Sequence, residues 1–346
     1  MARLGKGTAN GACSLLHAAG LGYGASLALD LPVVVTLLDK TSRRELDDPD
    51  NLLAAVLESW TAAGHQLPVG DLHWSVKSDI PPRQGLKSSA AISIAALRAL
   101  CQATEKTLVN SDLVDMAADS QIRAGVSITG SIDDAWAAAE GGWKLVDTSL
   151  PAAEGVLLES PGPAAEDWDL LLILRGDRKE RPDAETFAWH QQGFQQSLGA
   201  LEKGDALVAI TWNGRSMVSV LNDMNGRRLT NDAFVNGARA AGISGSGPAI
   251  VIFSPAVSKP TLVRLKQWYG VRKKDIVMRE VKIINSVIIE NNNQAQMIKA
   301  GVQGGVIAVG HTKIGNFVGG LGTNSSVISN NKSIQNQVDN SFQDLT

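Results

Sequence analysis

The stretch Pro81-Pro82-Arg83-Gln84-Gly85-Leu86-Lys87-Ser88-Ser89-Ala90-Ala91 joins a proline-rich turn to an alanine-rich run. From Ser88 to about Lys106 the chain is apolar on nearly every face, which predicts a buried helix. The first turn of a helix has unpaired amide N–H groups and the positive end of the helix dipole. An anion placed there gains hydrogen bonds and a favourable field. Gly85 lets the backbone approach a ligand closely, and Ser88 or Ser89 could reach a magnesium ion. The same serines could equally be only the N-caps of a buried helix.

Working outward, Leu53, Leu57 and Trp60 recur at helical spacing between Asp50, read as N-cap, and Gly64, read as the stop. Leu72, Trp74 and Val76 alternate with polar residues as a half-buried strand does. A second helix is predicted over Asn110–Ala124, then a Gly/Thr/Ser loop and a short strand at Trp143–Val146. Residues 151–167, rich in Pro, Gly, Ala and Glu, read as a linker. Beyond them come a strand at Leu170–Leu174, helices near 184–202 and 205–222, and a glycine loop at 242–247. A strand at Ala249–Phe253, a helix near 260–269 and a strand near Ile276–Val281 follow. Strands and helices mixed in both halves make the fold class α+β.

Two further loops hold small residues at a density that admits a ligand. Gly242-Ile243-Ser244-Gly245-Ser246-Gly247 precedes an apolar strand and could merely turn the chain. Thr129-Gly130-Ser131-Ile132-Asp133-Asp134-Ala135 sets two carboxylates side by side. They are either a solvated helix start or a pair in which one aspartate orients or deprotonates a hydroxyl while the other organises the site.

Composition excludes several classes. Apolar residues at 44% and charged residues at 19% describe a folded globular chain of 346 residues, long enough for two domains. With 32 Lys+Arg against 35 Asp+Glu the net charge is −3, so nothing draws the chain onto nucleic acid. Two cysteines, Cys13 and Cys101, supply no disulfide framework or metal pair, and no apolar run reaches the length of a membrane span. A cytoplasmic location is expected. The five histidines lack metal spacing, a Walker-type phosphate loop is missing, and the Gly-x-Gly-x-x-Ala string at Gly20–Ala25 lacks the preceding strand of a dinucleotide fingerprint. Near residue 285 asparagine becomes frequent, and all eight tryptophans lie before that point. Residues 286–346 therefore read as a different kind of segment, an Asn/Gly-rich extension with a small β-rich part over 286–322.

In their order along the chain these segments resemble the GHMP small-molecule kinases. Pro81 to Ala90 is similar to that family's phosphate-binding motif, and Gly242, Ser244, Gly245, Ser246 and Gly247 resemble its C-terminal glycine motif. The Gly-Leu-Lys-Ser-Ser and Asp-Asp-Ala strings look like those of archaeal-type shikimate kinases. The resemblance implies an N-terminal ATP-binding domain over 1–155 with a left-handed βαβ crossover, and a ferredoxin-like C-terminal domain over 156–285. It implies ATP-dependent phosphorylation of shikimate on the route to aromatic amino acids, with ATP and Mg2+ as cofactors. The alternatives are another small alcohol such as homoserine, or a non-catalytic nucleotide- or ligand-binding regulator. By position, Gly85, Leu86, Lys87, Ser88, Ser89 and Ala90 would cradle the ATP phosphates, and Asp133, or Asp134 one place away, would be the catalytic aspartate. Ser89 would be a magnesium ligand. The family's usual magnesium glutamate is missing from the helix before the aspartates, where Asp119 could substitute. Thr129, Arg175 and Arg178 are the substrate candidates, the arginines because a guanidinium fork pairs with a carboxylate.

Overall fold

The computed structural model describes residues 2–42, 46–177, 182–272, 276–285 and 307–308. The extension is outside the described residues apart from a two-residue strand, Ile307–Ala308. Two long antiparallel strands, β1 (Arg3–Leu16) and β2 (Tyr23–Leu38), open the chain. They meet across a 3-10 turn, Ala18–Gly20, that His17 caps. Neither strand was read from the sequence. β1 is rich in glycine, and β2 is buried along most of both faces, so the period-two signal is weak. Past its pairing with β1, β2 offers its other edge to two partners: Val33–Leu38 pairs with β3 (His73–Ser78), and Tyr23–Ala25 with β4 (Trp143–Asp147).

Four helices lie between β2 and β4: α1 (Leu52–Ala62), α2 (Ser88–Ala103), α3 (Asn110–Arg123) and α4 (Ile132–Glu140). α2 rests directly on β1, because Gly5 and Gly7 carry no Cβ. One added there would fall 2.0 Å from the carbonyl oxygens of Ala99 and Ala95. The N-cap of α1 is Asn51 rather than Asp50, and the carboxylate of Asp48 accepts the Leu52 and Leu53 amides. α4 stands where a loop was expected, and the two adjacent aspartates are in its first turn.

The expected linker is corrected as well: it contains β5 (Val156–Ser160), which pairs antiparallel with β4 and carries the first sheet past residue 155. The second sheet is built from β6 (Trp168–Leu174), β7 (Ala240–Ile243), β8 (Ile250–Pro255) and β9 (Val277–Val281) in the order β7-β8-β6-β9, all antiparallel. Between β6 and β7 run α5 (Ala184–Ala188), α6 (Gln191–Glu202), α7 (Ala206–Val220) and α8 (Met224–Val235), and α9 (Lys259–Arg272) joins β8 to β9. This order is that of a ferredoxin-like split β-α-β arrangement, with α8 an element the sequence reading missed.

One continuous apolar core spans both sheets, drawing Leu15, Leu27 and Leu97 from the first half and Leu172 and Ile252 from the second. The chain leaving β9 returns to β2: Ile284 N–H donates to the Ala28 carbonyl at 3.0 Å. The Asn285 side chain then clasps the carbonyls of Pro161 and Pro163. Among the described residues no helix is long and apolar enough to cross a membrane.

Candidate active site

A cavity of about 250 Å3 opens at the N-terminus of α2. Its walls include Gly85, Lys87, Ser88 and Ser89, the loop 125–131, Asp133 and Asp134 of α4, His17, and Gly245 and Ser246 of the glycine loop. Three segments far apart in sequence are thus brought together, as their small residues anticipated.

The two glycine-bearing loops interlock through backbone. Gly85 has φ +79, and an added Cβ would lie 2.1 Å from the Ser244 carbonyl oxygen; one on Gly247 would lie 2.1 Å from the Gln84 carbonyl carbon. Ser244 is buried; its hydroxyl donates to the Gly85 carbonyl at 2.7 Å and accepts the Ser14 amide at 3.3 Å. Gly242 packs against α7, where a Cβ would be 2.4 Å from the Ile210 carbonyl oxygen. Of this loop, then, Gly245 and Ser246 face the cavity while Gly242, Ser244 and Gly247 hold the turn at Gln84–Gly85 and α7 in place. Leu86 and Ala90 are likewise core residues, fully buried.

The reading of the serines as helix caps does not survive. The N-cap of α2 is Lys87, in left-handed backbone at φ +66, and among the described residues no side chain caps the helix. The Ser89 hydroxyl instead donates to the Gln121 carboxamide at 3.0 Å. Gln121, fully buried on α3, donates in turn to the carbonyls of Ala117 and Gly130 and so anchors the turn before α4. The positive end of α2 is left open toward the cavity.

Asp133 and Asp134 are not a solvated helix start. Both are buried, at 3% and 7% exposure. The Ser26 hydroxyl lies 2.6 Å from Asp134 Oδ1 and 3.2 Å from Asp133 Oδ2, and Lys87 Nζ lies 2.8 Å from the same Asp134 Oδ1. Burial first, then the neighbouring Asp134 charge, push the Asp133 carboxyl up to about 8 against the pull of Lys87. Burial works against the Lys87 charge, but Asp134 and then Asp133 outweigh it and hold the ammonium above its usual range. Ser26 and the Lys87 side chain were missed from the sequence. The one available signal was Gly24 and Ser26, two small residues on one face of β2 within an apolar run.

The other expected site residues divide. Thr129 lines the cavity, its Oγ1 accepting the Ser131 amide at 3.4 Å. Asp119 does not reach it: its carboxylate accepts from Ser59 Oγ and Arg123 Nε, both at 2.6 Å. Arg175 is committed elsewhere. It forms a bidentate pair with Asp223, and its Nε donates to the Pro248 carbonyl at 2.6 Å. Arg175 therefore ties β6 to the start of α8, on the wall of a neighbouring cavity of about 710 Å3. Arg178 falls outside the described residues. Among the described residues no three His, Cys, Asp or Glu side chains group as metal ligands.

A family model described as the GHMP kinases N-terminal domain matches residues 51–142, the stretch from α1 through α4. A shikimate kinase of Methanothermobacter thermautotrophicus is 30% identical over 198 residues, which cover 54% of this chain and 64% of that one. One from Methanobrevibacter smithii is 24% identical over 254 residues, 70% of this chain and 85% of that one. The solved mevalonate kinase of Methanococcus jannaschii has the same fold, with a TM-score of 0.63 at 15% identity over 80% of this chain and 98% of its own. The chain carries a GHMP kinase N-terminal domain over residues 51–142 and has the GHMP kinase fold. Its match to the Methanothermobacter relative spans just under two thirds of that protein's length. A homoserine kinase from Cytophaga hutchinsonii shares the GHMP kinase fold as well, with a TM-score of 0.56 at 19% identity over 81% of this chain and 95% of its own. The expected α+β GHMP kinase architecture is thus the observed one. The family match covers the uncapped helix, its buried glutamine support and the aspartate pair.

Proposed function

We infer that this GHMP kinase transfers the γ-phosphoryl group of ATP to a hydroxyl of shikimate, giving shikimate 3-phosphate. The observation that carries the reading is the uncapped, cavity-facing N-terminus of α2 with two buried aspartates on the same cavity wall. Amide N–H groups and the helix dipole suit the phosphates of ATP, and a carboxylate suits the proton of an acceptor hydroxyl. Phosphoryl transfer needs positioning and neutralised charge more than covalent chemistry, which such a site offers. The choice of shikimate rests on the curated relatives, which are named shikimate kinases.

Two expectations change in this reading. Arg175 spends its donors on Asp223 and Pro248, so Arg83, which is on the cavity wall and pairs loosely with the exposed Asp177 at 3.5 Å, is the better partner for a substrate carboxylate. Neither expected magnesium ligand stands ready for a metal, since Ser89 donates to a neutral carboxamide and Asp119 is turned to Arg123, away from the cavity. Magnesium would enter on the ATP phosphates, to which it lends charge neutralisation. A cytoplasmic setting accords with ATP as donor and with two unpaired cysteines.

A second reading, a GHMP kinase for another small alcohol, draws on the loss of Arg175 as a carboxylate partner and on the mevalonate and homoserine kinases of the same fold. ADP release should be followed with ATP, Mg2+ and shikimate beside homoserine and mevalonate. Release with shikimate alone is expected. Release with another acceptor replaces the substrate, and ATP binding without turnover on any acceptor replaces the enzyme with a ligand-binding protein.

A further inference from the structure

The two adjacent carboxyls occupy unequal environments. A hydroxyl carries one hydrogen, and that of Ser26 lies on the shorter path to Asp134 Oδ1, 2.6 Å against 3.2 Å to Asp133. Lys87 Nζ converges on the same Asp134 oxygen at 2.8 Å. Asp134 Oδ1 therefore receives a hydroxyl and an ammonium, which together favour its charged form. Asp133 receives neither at short range, and its carboxyl is backed by the bare Cα of Gly24.

We propose that Lys87 and Ser26 are positioning residues that hold Asp134 as a fixed anion, and that this anion makes Asp133 the carboxylate that takes the acceptor's proton. The proposal rests on the kinase reading above. In the step, the acceptor O–H breaks and its proton moves to an Asp133 carboxylate oxygen. The freed oxygen bonds the γ-phosphorus, and the bond from that phosphorus to the β–γ bridging oxygen breaks, its electron pair leaving on ADP. Asp133 then returns its proton to solvent.

The surroundings leave little else to tune Asp133. β2 contributes Ser26 and Gly24, neither charged, and the loop before α2 contributes Lys87. β1 contributes Cys13 beside Lys87, a buried thiol pushed up to about 12 and so neutral. α3 contributes the neutral Gln121, and the glycine loop contributes Gly245, where a Cβ would stand 3.4 Å from Lys87 Nζ. His17, Asp50 and Arg83 line the same cavity. Asp133, pushed up by burial and by the Asp134 charge, titrates near working pH, where a general base is most effective. Lys87 holds its place through a left-handed backbone that non-glycine residues adopt at a cost, as expected of a residue kept for its side chain.

The experiment is the pH dependence of kcat/KM in wild type, Asp134→Asn, Lys87→Met, Lys87→Arg and Ser26→Ala, paired with carboxyl-carbon NMR titration of aspartate-labelled protein without nucleotide. Wild-type kcat/KM should fall tenfold per pH unit on the acid side of one apparent ionisation, assigned by Asp133→Asn in the NMR series. Asp134→Asn should move that ionisation to lower pH by a unit or more. Lys87→Met and Ser26→Ala should move it to higher pH, and Lys87→Arg should restore it. An unmoved ionisation in both Asp134→Asn and Lys87→Met overturns the proposal, as does an NMR titration that vanishes in Asp134→Asn and persists in Asp133→Asn. If no acceptor is phosphorylated the kinase reading fails, while the NMR series still decides how the two carboxyls divide the charge.

Discussion

Gly24→Ala adds a single methyl group against the aspartate pair. Gly24 is not among the residues with positive φ, so alanine meets no backbone penalty there. Its Cβ would lie 2.7 Å from Asp133 Cγ, 2.8 Å from Asp133 Oδ1 and 3.0 Å from Ala18 Cβ, where ordinary contact begins at 3.4 Å. The Asp133 carboxyl must therefore retreat by about 0.7 Å or the strand must yield. Overpacking of this kind costs about 1–3 kcal/mol, tolerable in a folded protein. Displacement of a reacting group by most of an ångström costs on the order of 10–100-fold in rate. Steady-state ADP release should show kcat lowered by about that factor with KM for ATP little changed. Gly199→Ala, with open space around it on α6, is the control: kcat unchanged and stability raised by about 0.5–1 kcal/mol. A folded Gly24→Ala protein with kcat within about twofold of wild type would refute the placement of Asp133 at the reacting centre.

Three further outcomes are expected. Arg175→Ala leaves the half-buried Asp223 with the Gly226 amide but no cation and should cost about 1–3 kcal/mol in thermal melts. Although burial alone would raise it, Asp223 is held below the usual carboxylate range by Arg175 and the Gly226 amide. That stability is present above about pH 4 and lost on further acidification, a dependence Arg175→Ala should lack; a raised KM with unchanged melting would instead make Arg175 a substrate ligand. Gln121→Ala strands the Gly130 carbonyl and frees the Ser89 hydroxyl, so urea unfolding should register a loss of about 1–3 kcal/mol, and an unchanged midpoint would deny Gln121 its anchoring role. Burial pushes Cys13 up to about 12 and Cys101 up to about 11, so thiol labelling near pH 8 should modify neither at an appreciable rate until denaturant is added; rapid native labelling of Cys13 would contradict its burial.

The helices read from the sequence, α1, α2, α3, α6, α7 and α9, declared themselves because their apolar spacing and their stops are local signals. The turn leading into α2 was legible for the same reason, since a glycine turn entering an apolar helix occupies eleven consecutive residues. β1 was not, because glycines that admit α2 blur the alternation on which strand reading depends, and β2 was not, because it is buried along most of both faces. α4 was hidden by Thr129, Gly130 and Ser131, whose turn chemistry masks the helix that follows.

The roles of individual side chains divide along the same line. Sequence alone determined the family resemblance, the α+β class and the small set of residues able to do the chemistry, because residue type and order are what it contains. Tertiary structure alone decided that Ser89 faces Gln121 rather than capping its helix, and that Arg175 belongs to Asp223 rather than to a ligand. It also decided that Ser26 and Lys87, 108 and 47 residues before Asp134, converge on one carboxylate oxygen. A buried charge is satisfied by whichever donors the folded chain brings within about 3 Å, and separation along the sequence carries no record of that distance.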